Sequence, residues 1–188
     1  MSDLEKEIDE ALVCEKPVPR DAVLAWIRAA RNDLRVLAKL YQLTGECYYR
    51  IDPELGADET CALIQRYLLE CVRQNVTDDD VIEDRWEAAR TLHAWFCHLG
   101  EMNDTSDVIE RATKAITDVF LNSDEDIRSA IEQGFLEHVL EMKSLRPFFE
   151  YWSSDPRLQP AWSRAMEWAK EHPEYMWNLL RRFSKRPD

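Results

Sequence analysis

Apolar residues recur along this chain at spacings of three and four, the period of an amphipathic helix, and no segment alternates apolar and polar over more than four residues. Leu4, Ile8, Ala11 and Leu12 share a face and predict a short helix over residues 3–13, before the proline-bounded spacer 14–19. Val23, Trp26, Ile27, Ala30, Leu34, Leu37 and Tyr41 form one stripe, which predicts a single long helix over 19–43, with proline in its first turn and Gly45 beyond its end. Cys61, Ile64, Leu68, Cys71 and Val72 mark a helix over 57–75. Ile82, Ala89, Leu92, Phe96 and Leu99 mark another over 79–99, with Thr77 and Asp80 as a variant capping box and Gly100 as its stop. The stripe from Val108 to Phe120 predicts a helix over 106–121. A sharp turn at Asn122 and Ser123 leads to one over 124–142, capped by Ser123 and Asp126 and carrying Gly134 where a close helix neighbour is expected. Two more helices are predicted after Asp155-Pro156 and after His172-Pro173.

Most of the connections are short, so sequential helices should run antiparallel. The expected fold is all-α, an antiparallel bundle or short α-solenoid of seven or eight helices, with an N-terminal arm (1–18) and a single helical domain (19–188). The turn Asn122-Ser-Asp-Glu-Asp-Ile-Arg128 sets an aspartate cluster and an Ile-Arg step at the head of a second helix. In this the segment 106–142 is similar to a HEAT-like helical hairpin, which implies hairpin stacking as the architecture.

Charge changes the picture more than composition does. The formal net charge is -13. The acids concentrate in residues 51–142, where 22 Asp/Glu face 7 Lys/Arg, whereas residues 143–188 carry 9 Lys/Arg against 6 Asp/Glu. A chain so acidic lacks the basic face that phosphate neutralisation requires, and a nucleic-acid partner is not expected. The first residues are acidic where a signal peptide needs bases, and no uncharged stretch approaches the ~18 residues of a membrane span, so a cytoplasmic protein without membrane contact is expected. Five cysteines form no CxxC, and Cys61, Cys71 and Cys97 fall among apolar residues as reduced core thiols.

Candidate chemistry is sparse. The string Asp78-Asp79-Asp80-Val-Ile-Glu83-Asp84 contains DDxxE, a spacing that stacks carboxylates one turn apart and is similar to the magnesium-diphosphate motif of prenyl-transfer enzymes. The second acidic motif of those enzymes is not reproduced by Asn103-Asp104-Thr-Ser-Asp107-Val-Ile-Glu110, and acids also gather at helix N-termini for the macrodipole alone. His93 and Cys97 stand four apart on one helix, but no second ligand pair completes a tetrahedral site, and they read as a packed face. No GxSxG elbow and no glycine-rich phosphate loop occurs. No catalytic residue, metal or cofactor is therefore assigned.

Four of the seven tryptophans, Trp152, Trp162, Trp168 and Trp177, lie in the last third among other aromatics, as core with part of that surface open to a partner. The function expected is that of a protein-binding module, an immunity protein or antitoxin in type, which grips a basic protein with an acidic edge. That edge is assigned to Asp78, Asp79, Asp80, Glu83 and Asp84 with Asp124, Glu125 and Asp126, because alternate turns of an antiparallel array share an end. The alternatives are a metal-dependent phosphoester or nucleotide hydrolase built on the acidic helices, and a helical scaffold or adaptor.

Overall fold

The structure, a computed structural model, describes residues 2–76 and 82–172. It is all-α, with nine α-helices among the described residues and a single two-residue parallel bridge between β1 (Val18–Pro19) and β2 (Ile51–Asp52). Among these residues no helix is long and apolar enough to cross a membrane. The chain divides into two compact units, Met1–Ala88 and Ala89–Asp188.

In the first unit, α3 (Leu34–Glu46) packs against α1 (Asp3–Val13), α2 (Arg20–Ala30) and α4 (Ala57–Gln74). Its buried Leu37, Leu40 and Leu43 meet a core that holds Ile8, Val23, Leu63, Tyr67 and Leu68. The segment expected as an N-terminal arm belongs to this core: α1 opens on a Ser2/Glu5 capping box, buries Ile8, and is pinned to α3 by Lys39, which bonds Asp9 at 2.6 Å.

The single helix expected over 19–43 is two. Arg31 adopts φ 46°, and Asp33 then acts as N-cap, its carboxylate accepting the Val36 N–H at 3.3 Å. The apolar stripe passes through this break unaltered, so periodicity cannot register it. Gly45 lies inside α3, not beyond it. α4 ends as expected, with Asn75 left-handed at φ 50°. The next helix, α5 (Arg85–Glu101), starts later than residue 79. Asp84 caps it by accepting the Glu87 N–H at 2.8 Å, and Arg85 is tied back to α4, donating to the Val72 carbonyl at 2.7 Å. Gly100 lies within α5, where an added Cβ would stand 3.0 Å from Leu145 Cδ2; close packing, not helix termination, explains it.

In the second unit, α6 (Ser106–Leu121) and α7 (Glu125–Ile131) form the expected hairpin. The N-cap is Asp124 in place of Ser123, accepting the Ile127 N–H at 3.0 Å, and Arg128 closes the turn by donating to the Phe120 and Leu121 carbonyls. α7 passes through a π-helical stretch, Glu132–Leu136, into the short α8 (Glu137–Val139), with Gly134 buried in the π segment. A 3-10 helix, Arg146–Ser153, was not foreseen; it carries Phe149 and Trp152 into the core against Phe96, Phe120 and Phe135. α9 (Gln159–Glu171) begins four residues after Asp155, which forms the preceding turn, and packs on the π segment and α8. Arg164 forks onto both carboxylate oxygens of the buried Glu132 there. The helix expected after His172-Pro173, with Trp177, lies outside the described residues, as does the Thr77/Asp80 cap.

One device recurs. Arg50 donates to the carbonyls of Ala11, Leu12 and Lys16 at the end of α1. Arg66 reaches Ile27 in the last turn of α2, Arg85 reaches Val72 and Arg73 of α4, Arg128 serves α6, and Arg146 reaches Leu140 just after α8. Arg50→Met should lower stability by about 1–3 kcal/mol by stripping partners from half-buried carbonyls. Arg50→Lys should recover little of it, since one ammonium cannot reproduce the planar fork. Urea unfolding of the three proteins checks this.

Candidate functional site

The acidic residues assigned from sequence have different fates. Asp78, Asp79 and Asp80 lie outside the described residues. Glu83 and Asp84 belong to the first unit. Glu83 is half-buried, its N–H donating to the Tyr67 hydroxyl at 3.3 Å and one carboxylate oxygen sequestered, whereas Asp84 caps α5. Asp124, Glu125 and Asp126 belong to the second unit and are exposed. Asp124 is a cap; Glu125 and Asp126 make no ion pair with any described residue, and the nearest arginine in sequence, Arg128, is turned to the α6 carbonyls. The expected joining of 78–80 and 124–126 into one edge rests on residues outside those described.

The sequence reading did not single out the bend at 48–54. Tyr48 and Tyr49 are 57% and 69% exposed, with ring centroids 6.0 Å apart in an edge-on pair. Beside them lies a recess of about 450 Å³ lined by Glu15, Pro17, Tyr49, Arg50, Ile51, Asp52 and Glu54. A second recess of about 200 Å³ adjoins it at Ile51 and Glu54 and is walled by Thr44, Tyr48, Leu55 and Thr60. The bend is rigidly mounted. Val18 pairs with Ile51 across the β1–β2 bridge, and the Arg50 fork clamps the bend to the end of α1. A signal was present in sequence, two adjacent tyrosines outside any apolar stripe and followed within five residues by two acids, but it carries no period.

The second unit holds a buried polar chain. His93, 3% exposed, lies 3.1 Å through Nε2 from Cys97 Sγ, and its ring is 5.4 Å from that of His138. His138 Nδ1 meets Glu141 at 3.0 Å, Trp168 donates its indole N–H to the same carboxylate at 3.2 Å, and Trp168 stacks on His172. A cysteine and histidine in contact have the geometry of a nucleophile and its base. Burial opposes that chemistry: it pushes the Cys97 thiol up to about 12 and, aided by the charge of His138, pushes His93 down to about 4. Both groups are neutral at pH 7, and no thiolate forms. Among the described residues no three His, Cys, Asp or Glu side chains converge as metal ligands.

No protein-family model, curated protein or solved structure matches the chain.

Two outcomes follow. His93 is held below its ordinary value, so between pH 6.5 and about 4 the unfolded chain takes up a proton that the folded chain refuses. The contribution of His93 is full above pH 6.5 and is lost as the pH falls toward 4, by roughly 3 kcal/mol in all. His93→Leu should remove that component from the pH dependence of denaturant unfolding. A thiol reagent at pH 8 should label the exposed Cys14 promptly but Cys71 and Cys97, both pushed up to about 12 by burial, only on unfolding. Mass spectrometry of the labelled peptides reads this directly.

Proposed function

We propose that the protein is a binding module for a basic protein partner, of the kind by which an immunity protein or antitoxin covers the cationic active site of a nuclease. One observation carries the reading: arginines that stand beside acidic steps are committed to helix-end carbonyls and leave those carboxylates uncompensated. Arg128 follows Glu125 and Asp126 but serves α6; Arg50 precedes Asp52 and Glu54 but serves α1. With a formal net charge of -13, the surface presents acid to any approaching partner and favours a cationic one by long-range attraction.

The test is association with a panel of immobilised basic nucleases, at low salt and at physiological ionic strength of about 0.15 M. A member of the panel should bind. The variant D79N/D80N/E125Q/D126N should then associate several-fold more slowly, with a flatter salt dependence and an unchanged melting temperature. Failure of every nuclease to bind, or an unchanged association rate in the variant, overturns the proposal.

A further inference from the structure

We propose that the paired recess at the 48–54 bend is a docking site for an arginine-bearing segment of a partner protein, the guanidinium lying over Tyr49 among Glu15, Asp52 and Glu54. The inference shares with the functional reading the premise of a basic partner. It adds a specific site, in the unit Met1–Ala88.

Charge complementarity identifies the occupant. Three carboxylates line the larger recess or its mouth against one guanidinium, that of Arg50, which is turned into the carbonyls of Ala11, Leu12 and Lys16. Glu15, Asp52 and Glu54 are exposed and none is in an ion pair with a described residue. A cation entering the recess therefore meets carboxylates that no internal base satisfies. The recess is about 450 Å³, within the range of about 300–1,000 Å³ common to ligand sites.

The aromatic wall narrows the chemistry. Tyr49 lines the recess beside the acids, and a planar guanidinium can both stack on an aromatic ring and fork onto a carboxylate, which an ammonium cannot. Tyr48 and the adjoining recess of about 200 Å³, with Ile51, Leu55 and Thr44, give an apolar neighbour to the cation a place to sit. Tyrosine-centred patches of this composition concentrate binding energy in protein interfaces. The bend is held by its bridge and its fork before any partner arrives, so little ordering remains to oppose binding.

The experiment uses the full chain, labelled with nitrogen-15, and a pentapeptide Gly-Arg-Leu-Arg-Gly blocked at both ends. Its counterpart carries citrulline at both arginine positions, which keeps the shape and removes the charge. The arginine peptide should shift the amide signals of Tyr49, Ile51, Asp52 and Glu54, and the citrulline peptide should not. Tyr49→Ala and the pair Asp52→Asn with Glu54→Gln should each weaken binding roughly fivefold or more. These side chains are exposed, so melting temperatures should stay the same. The pair Asp107→Asn with Glu110→Gln, exposed acids on α6 outside either proposed surface, should bind the peptide as the unaltered chain does. Shifts spread over the acidic surface and indifferent to Tyr49→Ala would overturn the docking site while leaving the nuclease panel to decide the functional reading. Equal binding of the citrulline peptide would overturn the cationic occupant. A panel without a binder, beside a peptide that maps to the recess, would sink the functional reading and leave the site standing.

Discussion

The last carbonyls of every helix must find donors, and this constraint organises the molecule. A helix leaves four of them without intrahelical partners, and a left-handed glycine just past the end is the usual remedy. Here none of the four glycines has a positive φ. Asn75 takes the left-handed position for α4, and arginine guanidinium groups supply donors at the ends of α1, α2, α4 and α6. An arginine cap differs from a glycine cap in one respect that matters for folding. Glycine ends a helix locally, whereas Arg50 reaches back 34 to 39 residues and Arg66 reaches back 39, so each bond that finishes one helix also fixes where another lies.

The same arrangement shapes the surface. A guanidinium facing carbonyls keeps its charge but spends its donors on the backbone, and so forms no close pair with the acids beside it in sequence. Acids that neighbour these arginines in sequence are left to solvent, as Asp52, Glu54, Glu125 and Asp126 are. Among the ion pairs that do form, two join elements: Lys39 with Asp9 links α3 to α1, and Arg164 with Glu132 links α9 to the π segment. The unpaired state of these particular acids is thus partly a by-product of how the helices are finished.

Helical periodicity made the fold class, the apolar stripes and the α6/α7 hairpin readable from sequence, because each depends on neighbours within a turn or two. What escaped depends on competition at single residues or on distant partners. The break at Arg31 is invisible because Val23 and Leu37 sit in register on both sides of it, and only the capping strength of Asp33 decides it. The start expected at Thr77 lies outside the described residues, and among those described the helix begins after Asp84, where Arg85 finds the α4 carbonyls. The bend at Tyr48 and Tyr49 is set by a clamp to α1, and no window around those residues contains that information. That His93 and Cys97 share a packed face was legible from their spacing of four, whereas their contact and neutral state come from burial that only the tertiary fold sets.

The π segment between α7 and α8 is, in register terms, an α-helix holding one residue more than its turns require. Each residue of a regular helix turns the chain by about 100°. Regularising the segment with all of its residues kept would rotate everything after it by about that angle relative to α7. His138 and Glu141 would then leave the side on which His93 and Trp168 wait for them, and the whole buried polar chain would come apart without any of its own members having been touched.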